Sequence, residues 1–424
     1  MNKIGIYDIR GKYPYEFDER TAAIAADFFL STLARGKKRP FAIVGYDARA
    51  SSLKILKSII SAIKKRGAEF TNIGLCTTPM IYFLARRMGA DLGLMVTASQ
   101  NPPEYNGLKI VSFPPRTAKS SKLKPIDIYS GFFSDFTDVK HDIKVVLDCS
   151  NGTAGLVLEK LLPKMKGLEY KIINARPDGK FPAHGPNPLK TSATRELSRA
   201  VLLEKADLGI IFDGDGDRAF FVDEKGKRID TEIISTLMAE HLRAKTVVVD
   251  SSVGWVFKRN MSKCVQKVVI SPVGHDHIPR VMDEEGATFA FERSGHFYFK
   301  VSSGTSKFNF DSGILAAIFA INSVSGFLSH GKTLSEFAEN FSGRYFRHHR
   351  DFTVKEPYKI IDKIKKRFGG GKRSSQDGLS IEYKGWWFNV RPSSTEPLLR
   401  LSVEADSEKL LKAKFNKIIS IIRH

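Results

Sequence analysis

Cysteine is scarce in this chain: Cys76, Cys149 and Cys264 are the only three among 424 residues. Three thiols without metal-ligand spacing can build neither a complete disulfide framework nor a zinc site, which points to a reducing compartment. Long hydrophobic runs are missing too. The best candidate for a membrane span, Ser312–Ser329, is uncharged, but it contains Asn322, two glycines and four serines, and its long apolar stretch covers only Ile314–Ile321. It reads as a buried helix rather than a span. The opening MNKIGIYDIRGK has no apolar h-region, so no secretory leader is expected and the cytoplasm is the expected location. Acidic residues are outnumbered, with 46 Asp+Glu against 67 Lys+Arg, a formal charge of +21. That balance favours anionic partners: nucleic acid, a membrane surface or phosphorylated metabolites. The basic residues fall in short scattered clusters such as Lys37-Lys38-Arg39, Lys64-Lys65-Arg66 and Lys365-Lys366-Arg367, without the interleaved aromatics of a single-strand platform. A solvated basic surface is the plainer reading, and neither nucleic acid nor membrane is expected as a partner.

What is present is ordinary globular composition, 42% hydrophobic and 27% charged, in a length that suits two to four domains at about 100–200 residues each. An internal repeat organises most of it. One unit opens with the apolar strand FAIVGYD (Phe41–Asp47), continues through Ser51-Ser52 and the helical pattern LKILKSIISAIKKRG, and closes on LGLMV (Leu92–Val96). A second opens with IKVVLD (Ile143–Asp148) and closes on LGIIF (Leu208–Phe212); a third opens with TVVVD (Thr246–Asp250) and closes near ATFAF (Ala287–Phe291). Continuous apolar runs separated by helical patterns predict parallel strands covered on both faces. From about Tyr345 the pattern changes to a helix, a triple-glycine loop, short alternating strands and a final helix, a small α+β domain in which Trp386 and Trp387 read as packing residues.

Each closing strand runs into a polar loop, at the strand end where open α/β sheets gather ligands. In Asp213-Gly-Asp215-Gly-Asp217-Arg218, three carboxylates at alternate positions cannot all ionise without a cation, and their hard oxygens suit Mg²⁺ or Ca²⁺. An EF-hand is rejected because Arg218 stands where that loop needs glycine and strands flank the segment; a plain polar turn is the remaining alternative. Ser99 follows a strand directly and precedes the rigid Asn101-Pro102-Pro103 turn, so it is either an exposed nucleophile or a turn and cap residue. Lys109 starts the return strand and can lie beside it. The third loop is Glu-Arg-Ser-Gly-His, Glu292–His296. A fourth, Arg391-Pro-Ser393-Ser394-Thr395, bracketed by Arg400, offers hydroxyls, N–H groups and a guanidinium fork, which suits a phosphate cradle or an ST-turn.

Together IYDIRG (Ile6–Gly11), TASQNPPEYNGLKI, DGDGDR, ERSGH and RPSSTEPLLR, in this order, resemble the α-D-phosphohexomutase superfamily, specifically its phosphomannomutase/phosphoglucomutase branch, across essentially the whole chain. The resemblance implies three related α/β domains with mixed, largely parallel sheets plus a smaller α+β C-terminal domain. The expected segments are 1–139 with the phosphoserine, 140–235 with the metal, 236–343 with the sugar and 344–424 with the phosphate. It implies a phosphohexomutase that interconverts mannose or glucose 1- and 6-phosphates, with hexose 1,6-bisphosphate as intermediate and activator and hexose phosphates as its small-molecule partners. Mg²⁺ would sit on Asp213, Asp215, Asp217 and Ser99, which would be carried as a phosphoserine. Tyr7, Arg10, Lys109, Arg218 and His296 would surround the transferred phosphate, with Lys109 leading His296 and Arg10 as the proton carrier. Glu292 and Ser294 would hold sugar hydroxyls; Arg391, Ser393, Ser394, Thr395 and Arg400 would grip the other phosphate; His275 is a further substrate contact or a structural histidine.

The sequence departs from the family pattern at Gln100, where a histidine normally follows the serine, at Phe291 for a glycine, at Ser252 about where a lysine stands, and at Ser394 for the common Asn. Two other functions stay open on the sequence alone: a phosphoglucosamine mutase, and a catalytically weakened member that binds an acidic partner. Monomer or dimer is likewise undecided.

Overall fold

The computed structural model describes residues 5–33, 39–112, 123–303, 306–342, 346–393 and 398–423. Ser394, Thr395 and the expected domain border at 343/344 lie outside the described residues. The chain divides into two compact units: Met1–His241 with Ser294–Ser335, and Leu242–Arg293 with Glu336–His424.

In the first unit, strands Gly5–Lys12 (β1), Phe41–Tyr46 (β2), Glu69–Leu75 (β3), Leu92–Val96 (β4) and Tyr105–Ser112 (β5) form a sheet in the order β1-β5-β4-β2-β3. β2 is parallel to β3 and β4, β5 is antiparallel to β4, and β1 is antiparallel to β5, so four of the five strands point the same way. The second segment repeats the design. Ile143–Asp148 (β6), Leu168–Ile173 (β7), Leu208–Phe212 (β8), Ala219–Asp223 (β9) and Arg228–Ile229 (β10) are ordered β10-β9-β8-β6-β7 with the same two parallel and two antiparallel pairings. β4 and β8 are buried at every residue, as their unbroken apolar sequences require. The parallel edge strands β3 and β7 are far more exposed and carry the polar residues.

The helix Ser52–Lys65 buries Ile55, Leu56, Ile59 and Ile63, one stripe at helical spacing, in a core shared with Val44, Leu94 and Ile110. Each such side chain contributes about 1.5–3 kcal/mol by leaving water. The register of β2 on β4 pairs Tyr46 with Val96, so Asp47 and Thr97 leave the sheet side by side. That placement builds the site.

The third repeat is shared between the units. Thr246–Asp250 (β11) lies between Lys267–Ser271 (β12) and Phe289–Phe291 (β13), both parallel to it, in the second unit. Phe297–Ser303 (β14) and Ser306–Asp311 (β15) are an antiparallel pair in the first. The uncharged Ser312–Ser329 stretch becomes the helix Gly313–Leu328, capped by Ser312 Oγ accepting from the Leu315 N–H at 3.1 Å. Its polar residue is used: Asn322 donates to the Phe136 carbonyl at 2.7 Å and accepts from the Asp138 N–H at 3.0 Å. Among the described residues no helix is long and apolar enough to cross a membrane.

In the second unit the tail is an antiparallel sheet of Phe346–Thr353 (β16), Lys372–Ser374 (β17), Leu379–Glu382 (β18), Trp386–Pro392 (β19) and Leu398–Ala405 (β20), ordered β16-β20-β19-β18-β17. Helices Pro357–Arg367 and Glu408–Arg423 cover its apolar face through Ile361, Ile364, Leu411, Phe415, Ile418 and Ile422. Trp386 and Trp387 are buried in β19 as packing residues.

Candidate active site

Ser99 leaves β4 in a left-handed backbone conformation, φ 49°, which costs a non-glycine residue on the order of 1 kcal/mol. The conformation is held by the Ser99 N–H donating to Thr97 Oγ1 at 2.8 Å, while Thr97 Oγ1 donates to Asp47 at 2.8 Å. The Ser99 side chain is buried and its Oγ donates to Asp213 Oδ2 at 2.7 Å. This contact unites two loops more than a hundred residues apart in the chain. The carboxylate Asp213 is fixed from behind, because its Oδ1 accepts from the N–H groups of Gly216 and Arg218 at 3.1 and 3.3 Å. Gly214 permits the approach: a Cβ there would fall 2.9 Å from the Ser99 carbonyl oxygen.

Asp213, Asp215 and Asp217 are fully buried, and one oxygen from each lies within 4.8 Å of the others. Lys109 reaches them from β5, its Nζ on Asp215 Oδ2 at 3.0 Å and on Asp217 Oδ2. Asp215 Oδ2 also accepts from Thr78 Oγ1 at 2.5 Å, with Thr97 Oγ1 at 3.3 Å beside it, whereas Asp215 Oδ1 and Asp217 Oδ1 have no hydrogen-bond partner among the described residues. Burial raises all three carboxyl groups. For Asp213 the neighbouring charges of Asp217 and Asp215 add to it, and its carboxyl lies well above the usual range. For Asp215 the burial penalty is outweighed chiefly by Lys109 and Thr78, and for Asp217 by Lys109, His296 and Arg218, so both are held low. Burial opposes the Lys109 charge as well, but Asp215 and Asp217 keep the ammonium well above its ordinary value. Buried, all-oxygen, over-supplied with negative charge and left with two orphaned acceptors, this donor set fits a hard divalent cation.

The remaining first-unit candidates surround these groups. Arg10 forks onto Asp8 at 2.8 and 2.7 Å and also donates to the Ala98 carbonyl and Asn101 Oδ1 of the Ser99 loop. Tyr7 is 40% exposed, its ring 4.6 Å from that of Phe29. Arg218 Nε donates to His296 Nε2 at 2.9 Å and lies 3.8 and 3.7 Å from Asp213 and Asp217. His296 Nε2 also lies 3.5 Å from Asp217 Oδ1, and its Nδ1 faces Ser294 Oγ at 3.0 Å. Ser99, Arg10, Lys109, Arg218, Ser294, His296 and the three aspartates are thus one cluster.

The second unit holds the other group. Glu292 is buried at the end of β13 and accepts from the Gly274 N–H at 3.0 Å, which sets it beside the loop that carries half-buried His275. Arg391 and Arg400 face each other across β19 and β20, and the Ser393 N–H donates to Leu398 O at 2.8 Å where these strands part. Arg391 lies 3.8 Å from Asp377 and Arg400 3.8 Å from Asp351. Ser252 hydrogen-bonds its own strand-end carboxylate, Asp250.

Arg49, Thr78 and Asp47 were not singled out by sequence reasoning, although Asp47-Ala-Arg49 follows an apolar strand just as Ser99 does; the strand-end rule that found the other loops applies to it equally.

Residues 1–127, 128–226 and 230–345 match phosphoglucomutase/phosphomannomutase alpha/beta/alpha domains I, II and III, and residues 352–420 match the C-terminal domain of the same family. The chain is 34% identical to a phosphomannomutase of Methanocaldococcus jannaschii, over 98% of this chain and 96% of that protein. It is 31% identical to a phosphomannomutase/phosphoglucomutase of Pseudomonas aeruginosa, over 96% and 92%. Its fold matches a crystal structure of a phosphoglucomutase/phosphomannomutase family protein from Burkholderia thailandensis with a TM-score of 0.83 at 24% identity, covering 98% of this chain and 96% of that one. With all four domains matched in order, the chain belongs to the phosphoglucomutase/phosphomannomutase family of hexose-phosphate mutases.

Proposed function

We propose that this cytoplasmic enzyme interconverts the 1- and 6-phosphates of mannose, of glucose or of both, with Ser99 as its phosphoryl carrier and a hexose 1,6-bisphosphate as intermediate and activator. The observation that carries the reading is Ser99 Oγ at 2.7 Å from Asp213, at the edge of a buried three-carboxylate cluster. Asp213, Asp215, Asp217 and the Ser99 oxygen would hold Mg²⁺, which supplies neutralisation of charge on the transferring phosphoryl group.

Phosphoserine gives its phosphoryl group to a hydroxyl of the hexose phosphate. The P–O bond to Ser99 breaks, a P–O bond to the sugar oxygen forms, and the hydroxyl proton passes to a nearby base. The bisphosphate then reverses in the site, and its other phosphoryl group returns to Ser99 while the sugar oxygen regains a proton. Lys109 is the first candidate for the proton carrier, with His296 and Arg10 next; Lys109 and Arg10, already protonated beside Asp215, Asp217 and Asp8, act by returning a proton to the sugar oxygen, and all three, with Arg218 and Tyr7, would stand around the phosphoryl group. Glu292 and Ser294 hold sugar hydroxyls, with His275 as a further contact, and Arg391, Ser393, Ser394, Thr395 and Arg400 grip the non-reacting phosphate. In this division of labour 1–139 carries the nucleophile, 140–235 the metal site, 236–343 the sugar contacts and 344–424 the phosphate grip.

The test is a coupled assay on mannose, glucose and glucosamine phosphates with Mg²⁺ and a bisphosphate primer, alongside intact mass. Turnover on mannose or glucose phosphate, one phosphoryl group per chain, and loss of both in Ser99→Ala are expected. Turnover on glucosamine phosphate alone replaces this substrate assignment, and no turnover on any of the three overturns it.

A further inference from the structure

The loop from Ser99 to Tyr105 is short of donors. Pro102 and Pro103 contribute no N–H, and the carbonyls of Ser99, Asn101, Pro102 and Tyr105 converge on one point beneath the serine. Four carbonyl dipoles aimed at one spot repel one another unless a cation sits there. That spot is filled by Arg49, which projects from the carboxyl end of β2 and is 2% exposed. Its Nη2 donates to Ser99 O at 2.7 Å and Asn101 O at 2.6 Å, and its Nη1 to Pro102 O at 2.6 Å and Tyr105 O at 3.0 Å. Nε donates to Asp47 Oδ2 at 3.0 Å. A guanidinium has five N–H groups, and all five are used.

The surroundings hold the fork still. Asp47 takes the Arg49 N–H on Oδ1 and is itself held by Ser52 at 2.6 Å and Thr97 at 2.8 Å, the threonine that accepts the Ser99 N–H. The ring of Phe181 covers the guanidinium at 5.3 Å, and Gly179 presses on the Arg49 backbone so closely that a Cβ there would fall 2.9 Å from its carbonyl carbon. Because a trans peptide keeps C=O and N–H opposed, a Ser99 carbonyl fixed on Arg49 also fixes the following N–H, of Gln100, on the other side.

We propose that Arg49 is a positioning residue for phosphoryl transfer: its planar fork shapes the loop that presents Ser99 Oγ to Asp213, so it sets the rate of transfer and not the affinity for sugar phosphate. The inference rests on Ser99 as the phosphoryl carrier. Lysine keeps the charge but is a point donor with three N–H groups, unable to span four carbonyls.

Arg49→Lys, Asp47→Asn and Ser99→Ala are to be compared with the wild type by steady-state kinetics, by intact mass after bisphosphate priming, and by melting temperature. For a folded Arg49→Lys we expect kcat to fall on the order of 100-fold, with KM within about threefold and slowed phosphorylation of Ser99. A folded Arg49→Lys with wild-type kcat, or one in which only KM changes, overturns the proposal. Should Arg49→Lys not fold, Asp47→Asn decides, since it leaves all four carbonyl bonds in place and loosens the Arg49 anchor together with the Ser52 and Thr97 contacts of the same carboxylate. A fall of about tenfold in kcat supports the proposal, and an unchanged kcat overturns it. Ser99→Ala separates the two readings. If it is inert while Arg49→Lys is unimpaired, the Arg49 role alone fails; if it turns over normally, the serine reading fails and the Arg49 role with it.

Discussion

Gln100 stands beside Ser99, the proposed phosphoryl carrier, where the resemblance leads to an expectation of histidine, and its side-chain Oε1 is buried without a hydrogen-bond partner among the described residues. An amide in that position has a donor to offer a phosphate oxygen, though without the charge a protonated histidine adds. The difference is one charge-assisted bond against one neutral bond, about 1 kcal/mol, or about tenfold in rate. Gln100→His is therefore expected to change kcat by no more than about tenfold in either direction. A native protein that is inert and a Gln100→His variant that turns over would establish the weakened-member reading instead. At this scale the sequence was informative where a residue's chemistry is local. Three aspartates at alternate positions mark a candidate cation site before any fold is known. Arg49 and Thr78 were silent because their partners, four carbonyls of another loop and Asp215, lie far away in the chain. A lone arginine or threonine after a strand carries no mark of what it will meet.

The elements were largely legible because burial writes itself into composition. LGLMV, LGIIF and TVVVD coincide with β4, β8 and β11, since strands covered on both faces must be apolar throughout. Loops obey no such rule. The long connection from β7 to the helix Ala193–Glu204 carries Gly179 and Phe181 onto Arg49, and nothing in its polar sequence shows this. His184 ties it down: Nε2 lies 3.0 Å from Asp148 Oδ2 at the end of β6, and Nδ1 faces Gly185 O at 2.9 Å. Asn174 joins Asp148 to Glu196 nearby. Both ring nitrogens face acceptors, so the ion is the form that satisfies both. Burial works against it, but the hydrogen bond and charge of Asp148, with Gly185 O and Glu196, outweigh burial and raise the imidazole above its ordinary value. A group raised on folding stabilises fully below about pH 6.5, and its contribution fades as pH climbs through the raised value. His184→Gln should thus lower the melting temperature at about pH 6, and the deficit should shrink by about pH 9. A deficit that does not change with pH would show that His184 acts by packing alone.

At the scale of the molecule, the division at 293/294 was invisible in the sequence, because it cuts through the third repeat rather than between repeats. The net charge was visible from the start, and the chemistry offers it a role to test: sugar phosphates are dianions near neutral pH, and a body of formal charge +21 is expected to draw them in from solution. The basic residues need no common patch for this, since at low ionic strength the whole field is felt.

Raising monovalent salt from about 0.01 M to about 0.15 M shortens the screening length from about 30 Å to about 8 Å, which removes the distant charges and leaves those at the site. Association with substrate should slow while transfer at the proposed Ser99 site, beside the buried Asp213, Asp215 and Lys109, is little affected. With Mg²⁺ and primer held constant, kcat/KM for the sugar phosphate is expected to fall several-fold over that range, on the order of 3- to 10-fold, with kcat nearly unchanged. If kcat falls in step with kcat/KM, salt is acting on the chemistry or the fold. If neither moves, the excess positive charge plays no part in substrate capture, and a separate acidic partner becomes the better account of it.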